Sequence, residues 1–306
     1  MGLNMKIWGY LSALMVAILF GVWFSLDKIL LGYLHPFALA ASIYLVGSIF
    51  LFFINFSPLK DKVLNFINKN SYVEDVISRK EYFILFLTAL FGVFIAPAFF
   101  LSGLFRITAV NAALLSNTEI LFIILLGVLF LKEHVGKKDV LGFFFILIGA
   151  IFLSTNNLQN LSFNQNLFGS LLIISASFFW SMDTILSKYL SHKRNIIFIT
   201  ALKCAMGGSI LLLISLVMGL DFSLPLDKIP LLFFIGLICL SFSLPLTYYA
   251  IRIIGSTRTG SIFALSSLFG AITAYIVLGE PLTLSQLSFG VLMIAGVYVL
   301  YTGENE

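Results

Sequence analysis

The chain has 306 residues, of which 60% are hydrophobic and only 10% charged, and its mean hydropathy is +1.07. A soluble domain keeps about 25% charged residues to clothe its surface, so much of this surface must face lipid instead of water. The net charge of +4 comes without a long Lys/Arg run or a basic face interleaved with aromatics, which argues against nucleic acid as a partner.

Crossing the hydrocarbon takes about 20 apolar residues. Ten segments are predicted in chain order: 7–30, 36–56, 82–104, 107–130, 138–155, 167–190, 195–219, 229–251, 256–278 and 284–301. The first follows Lys6, is too long for a signal-peptide core and is followed by no small-residue cleavage site, so it reads as a retained span. The stretch 57–81 is the one substantial polar insertion. Its Val63, Phe66 and Ile67, with Lys and Asn between, suit a short amphipathic helix on the cytoplasmic face, and an ordinary solvated loop fits as well. The runs 82–130 and 229–278 are nearly continuous, and Arg106 and Gly255-Ser256 supply the breaks. Cys204 and Cys239 both fall in apolar stretches and read as small buried hydrophobes, not as a disulfide or a metal site.

The positive-inside rule orients this layout. With the N-terminus in the cytoplasm, 14 of the 18 basic residues fall in inside loops and span ends. Only Lys28, Arg106 and Lys228 fall outside, and Lys203 lies within a span. The expectation is a multi-pass protein of a prokaryotic cytoplasmic (inner) membrane, with both termini cytoplasmic.

The sequence also repeats itself. Phe20-Gly21 with Lys28 corresponds to Trp180-Ser181 with Lys188 at an offset of 160, and Gly47-Ser48-Ile49 matches Gly208-Ser209-Ile210 at 161. Pro97 and Arg106 resemble Pro245 and Arg252, and Leu131-Lys132-Glu133 echoes Leu278-Gly279-Glu280 at 147. The insertion at 57–81 accounts for the falling offset; a rival local register of 156 pairs Asp27 with Asp183. Five spans per copy force the second copy to enter the membrane upside down, the inverted arrangement of many secondary transporters. The expected fold is an all-α integral membrane protein of about ten transmembrane helices, with repeats at 1–155 and 156–306.

The motif running through Asn111, Ser116, Asn117, Glu119, Glu133, Gly142 and Gly149, and again through Gly260, Ser266, Ser267, Leu278-Gly279-Glu280, Gly290 and Gly296, resembles the EamA-type members of the drug/metabolite transporter superfamily. The resemblance covers nearly the whole chain as two copies. It implies a central cavity lined by spans one, three, four, six, eight and nine, and export of an amino acid or similar small metabolite. Ile120 and Ser267 stand where the family usually has mid-span prolines, Lys132 replaces the Gly before Glu133, and Phe20 replaces a Trp that Trp180 keeps.

A charge at the bilayer centre costs at least about 2.5–3.5 kcal/mol, so each buried one needs a reason. Glu119 lies mid-span and shares a face with Ser116; it could carry a proton or face a substrate ammonium, or be hydrogen-bonded between packed helices. Lys203 could pair with Glu119, bind a substrate carboxylate or snorkel towards the cytoplasm. Asp183 is one turn from Trp180, and Asp27 with Lys28 reads as an interfacial ion pair. Trp23, Trp180, Asn117, Tyr248 and Tyr249 are candidate cavity residues, aromatics in spans also serving as lipid-facing or packing groups. Pro97 and Pro245 mark corresponding helix breaks, which point to a midplane site or to plain packing kinks. The glycines of the last span in each half would allow close helix packing within the scaffold or in a homodimer.

His35, His134 and His192 show no metal-ligand spacing, and no phosphate-binding loop occurs, so no enzyme activity, metal or cofactor is expected. Transport would draw on an ion gradient such as the proton's, on exchange, or on the substrate's own gradient. A lipid or lipid-linked sugar translocase and a non-transporting scaffold are the alternatives.

Overall fold

The computed structural model describes residues 3–60, 78–131, 137–155, 165–191, 195–263 and 265–303. The described chain is all-α and forms an integral membrane bundle. Its helices are α1 (Leu3–Leu30), α2 (Pro36–Phe56), α3 (Arg79–Leu104), α4 (Ala109–Leu115), α5 (Thr118–Leu131), α6 (Lys137–Thr155), α7 (Gln165–Ser191), α8 (Ile196–Val217), α9 (Ile229–Ile254), α10 (Ser256–Phe263), α11 (Leu265–Thr273) and α12 (Leu284–Gly303). Eight described segments are long and apolar enough to cross a membrane, and the shorter apolar cores of α6 and α12 lie at 140–149 and 284–296. Residues 61–77, including Val63, Phe66 and Ile67, and residues Lys132, Glu133, His134 and His192 lie outside the described residues.

Local chemistry sets the helix starts. His35 caps α2 by accepting from Phe37 N, with Pro36 at the first helical position, where a missing N–H costs nothing. Ser78 and Glu81 form a reciprocal capping box on α3. Asn195 caps α8 through Ile197 N and Phe198 N, while its Nδ2 donates to Asn55 Oδ1 at 2.9 Å and ties the end of α2 to the start of α8.

Large apolar side chains cover the outside, for example Ile49, Phe56, Leu129 and Val217, each at least 70% exposed. In water such a surface would associate; in lipid it is the solvated state. The interior is packed tightly, with Ala, Gly and Ser prominent among Leu and Ile. A Cβ on Gly149 of α6 would meet Met293 of α12 at 2.3 Å, and one on Gly296 would meet the Gly142 carbonyl at 2.8 Å, so these glycines serve the α6–α12 contact inside the chain.

The packing pattern is reciprocal. Helix α1 lies against α9 and α11, while α7 lies against α3 and α5; α2 runs along α8, and α6 along α12. Each segment thus finds its main neighbours in the opposite half of the chain.

Two helix irregularities differ from simple proline kinks. Pro97 and Pro245 each follow a π-helical turn, at Leu90–Ile95 in α3 and at Ile235–Leu240 in α9. The fourth span breaks between α4 and α5 at Ser116-Asn117, although Ile120 stands at the family's proline position. Hydroxyls do the work instead: Ser116 Oγ donates to Ala113 O at 2.6 Å and Thr118 Oγ1 to Leu115 O at 2.8 Å, while Asn117 N and Glu119 N bond three residues back. Such back-bonding competes with the α-helical ladder and tightens the turn.

Candidate functional site

The break in the fourth span opens the wall of a central cavity. Its lining combines Glu119, Asn117 and Ser116 from that break, Asp183, Thr184 and Trp180 of α7, Gly92 of α3, Tyr44 of α2, Phe20 and Phe24 of α1, Thr247 of α9 and Ser266 of α11. The volume is about 70 Å³, room for a few waters, whereas pockets that enclose drug-sized ligands run to about 300–1,000 Å³. This conformation is therefore constricted around the site.

The two cavity acids are treated differently. Lys203 Nζ donates to both oxygens of Asp183, at 2.7 and 2.6 Å, with Lys203 only 2% exposed and Asp183 13%. Ser187 Oγ adds a bond to Asp183 Oδ1 at 3.1 Å and approaches Tyr248 OH at 3.0 Å, and the ammonium stands 5.6 Å from the centre of the Tyr248 ring. Asp183 also sits directly against Gly92 in the π-helical turn of α3: a Cβ there would lie 2.1 Å from Asp183 Oδ2. Trp180 Nε1 donates to the carbonyl of the same glycine at 3.2 Å. The turn, the glycine and the ion pair form one unit.

Glu119 has no such cation. Its partner is the hydroxyl of Thr184, which donates to Oε1 at a long 3.4 Å, and no described Lys or Arg pairs with it. Next to it Asn117 Nδ2 donates to Ser267 Oγ at 2.9 Å, while Asn117 Oδ1 is buried without a partner. Glu119 thus presents a carboxyl to a cavity walled by Phe20, Phe24, Tyr44 and Trp180.

Among the residues singled out from sequence, Glu119, Asn117, Asp183 and Trp180 meet at this cavity. Lys203 lies behind Asp183, bonded to it and not to Glu119, and Tyr248 lies behind Lys203. Trp23 and Pro97 line a second, much smaller cavity with Asp27, and Pro245 lines neither. The expected Asp27–Lys28 pair does not form. Lys28 Nζ donates to the carbonyls of Leu104 at 2.5 Å and Ile107 at 2.7 Å, neutralising the end of α3, while Asp27 turns inward and is 2% exposed. Consecutive residues on a helix point about 100° apart, so sequence adjacency does not make a pair.

Sequence reasoning passed over Gly92, Tyr44, Thr184, Ser187 and Thr247. Thr184 and Ser187 carried a weak signal, being polar residues one and four positions beyond Asp183. Gly92 and Tyr44 carried none, because their importance comes from remote elements meeting.

The loop before α12 explains a further motif. Gly279 adopts φ +66, where a side chain would be strained, and turns the chain so that Glu280 reaches back to α4. The Glu280 carboxylate accepts from Ala109 N and Val110 N, both at 3.0 Å. Gln286 Nε2, near the start of α12, donates to Asn111 Oδ1 at 2.8 Å, a second tie to α4.

The sequence profile of the EamA-like transporter family matches this chain twice, over residues 7–155 and 167–302. The chain belongs to the EamA-like transporter family. The chain is 45% identical over 297 residues to an uncharacterized transporter of Methanothermobacter thermautotrophicus, covering 97% of this chain and 87% of that one. It is 26% identical to the uncharacterized transporter YyaM of Bacillus subtilis, covering 94% and 92%. A crystal structure superposes with a TM-score of 0.65 at 16% identity over 97% of this chain and 96% of that one, a likeness of fold. Leu278-Gly279-Glu280, the motif that suggested this family, acts here as the clamp that caps α4 and so fixes the segment leading to Glu119.

Proposed function

We propose that this EamA-family transporter is a secondary carrier of small organic cations or zwitterions, amino acids above all, working by alternating access between two inverted halves. The observation that carries this reading is the contrast at the cavity: Asp183 is saturated by Lys203, whereas Glu119 faces the same space with only a threonine hydroxyl. A carboxylate among Phe20, Phe24, Tyr44 and Trp180 is suited to a substrate ammonium, which gains both ion pairing and attraction to the aromatic faces. Asn117 and Thr247, polar groups of the same cavity wall, would receive the rest of the substrate. The reciprocal packing of α1 with α9 and α11, and of α7 with α3 and α5, supports a rocking exchange of access, and the constricted cavity supports a step in which it widens. Export, with both termini in the cytoplasm of a prokaryotic cell, is the direction we propose. Chemistry on the substrate forms no part of this reading.

Counterflow of labelled amino acids in proteoliposomes tests it, comparing wild type with Glu119→Gln. The expected result is saturable flux whose KM rises about 10- to 100-fold in the variant, the effect of losing a charged hydrogen bond of about 1.5–3 kcal/mol. Flux with an unchanged KM would reduce Glu119 to a structural acid. No flux for any amino acid, with flipping of labelled lipids instead, would replace the reading by a lipid translocase.

A further inference from the structure

Among the described residues, Asp27 is the one buried acid that the central cavity leaves unused. It is 2% exposed on α1, its Oδ1 has no hydrogen-bond partner, and no described cation pairs with it. Trp23, one turn earlier, lines the same small cavity, and its indole N–H is likewise buried without a hydrogen-bond partner. Leaving such a group unsatisfied in an apolar interior costs several kcal/mol as a charge, so it persists for a reason.

The surroundings of Asp27 mirror those of Asp183. Ser25, Asp27, Ile29, Leu30, Tyr33 and Leu34 recur as Ser181, Asp183, Ile185, Leu186, Tyr189 and Leu190 at an offset of 156. Asp183 abuts Gly92 in the π-helical turn of α3, and α1, which carries Asp27, packs against the π-helical turn of α9. On the neighbouring helices, Gly47 of α2 abuts Gly236 and Leu240, as Gly207 of α8 abuts Ala89 and Val93. These contacts pair Gly47 with Gly207, one residue from the sequence register of Gly47 with Gly208, and so set Ile43 of α2 at the place of Lys203 in α8. Where one aspartate meets an ammonium, the other meets a buried isoleucine, and Ile43 lines the small cavity beside it.

We propose that Asp27 is a proton-binding site, separate from the central cavity, that takes up and releases its proton during transport; this rests on the reading of the chain as a carrier. The cavity at Asp27 is about 10 Å³, room for one water, and is walled by Phe20, Trp23, Phe24, Ile43, Pro97 and Leu101 among others. A metal cation requires several oxygen ligands. These walls supply almost none, whereas a proton requires no ligand shell. Tyr44 of α2 and Trp180 of α7 line the cavity with Asp27, and Cys239 lies in the π-helical turn of α9 against which α1 packs; α3 offers only Pro97, Phe100 and Leu101, and Lys28 on its own helix points away. Phe20, Phe24, Tyr44 and Trp180 line both cavities, so a single aromatic layer separates Asp27 from the central site. Movement of those rings would let water reach the carboxyl in one state and seal it in the other.

The proton itself is the probe in the first test. Infrared spectra of wild type, Asp27→Asn and Asp27→Glu in liposomes are compared from acid to alkaline buffer. A protonated-carboxyl band is expected in wild type at neutral pH, absent in Asp27→Asn and displaced in Asp27→Glu. Wild-type and Asp27→Asn spectra that coincide in this band throughout the titration would overturn the proposal. In the second test, accumulation of labelled amino acids driven by an imposed pH gradient is compared with their exchange. The gradient-driven part is expected to be lost in Asp27→Asn and restored in Asp27→Glu; its retention in Asp27→Asn would overturn the proposal. If wild type exchanges no amino acid, the substrate reading fails, and the infrared comparison still decides the proton site.

Discussion

Asp183 on α7 is held by Lys203 and Ser187, whereas Asp27 on α1 looks onto Ile43 and a cavity for one water. The two acids sit in comparable frames, each near a π-helical turn of a partner helix. The difference lies in the neighbouring helix, which supplies a lysine in one case and an isoleucine in the other. A paired buried charge is a fixed part of the bundle, since its desolvation cost is offset only while the partner stays. An unpaired one leaves room for an exchangeable cation. Glu119 resembles Asp27 in that no described Lys or Arg pairs with it, and its cavity is the larger of the two.

Removing one charge from each frame tests the comparison most strongly. Asp183→Asn leaves Lys203 buried and unpaired and is expected to cost about 3–5 kcal/mol in equilibrium unfolding from mixed micelles. Adding Lys203→Met should recover most of that loss. A small effect of the single change would mean that water or another group already serves Lys203, and the comparison would collapse.

The clamp at Glu280 comes next. Glu280→Ala removes two charge-assisted bonds to the start of α4 and is expected to cost about 1.5–3 kcal/mol by the same measurement, with transport impaired because α4 leads to Glu119. Gly92→Ala drives a methyl into the Asp183 carboxylate, and the strain of such overpacking is about 1–3 kcal/mol. Its loss should shrink in the Asp183→Asn/Lys203→Met background, where no ion pair has to be displaced.

The smallest expected effect is the most discriminating for Asp27. Asp27→Asn should change unfolding free energy by less than about 0.5 kcal/mol, because no partner charge is left behind. Combined with Lys28→Met, the two changes should add within about 0.5 kcal/mol. A larger interaction energy would restore the ion pair that sequence adjacency suggests and that the geometry denies.

Much of the frame was legible beforehand. Hydropathy placed the spans to within a few residues, since the hydrocarbon thickness dictates their length, and Arg106 and Gly255-Ser256 fell at true helix ends. Glu119, Asn117, Asp183 and Trp180 stood out because polar or amphipathic groups are conspicuous in apolar runs. Pro97 and Pro245 drew attention to the right stretches of α3 and α9, although π-helical turns precede both. The break at Ser116-Asn117 was less visible, because hydroxyl back-bonding looks in sequence like an ordinary run of small polar residues.

The sequence by itself determined that this chain is a membrane bundle of two like halves, because apolar length and repetition are properties of the chain alone. Only the tertiary structure decided which buried charges are paired. That choice rests on whether a side chain from a remote helix, Lys203 or Ile43, arrives within hydrogen-bonding distance of an aspartate. A contact of about 3 Å between segments far apart in sequence leaves no trace in either segment. Asp183, Asp27 and Glu119 look alike as letters in apolar runs, and they differ in what packing places beside them.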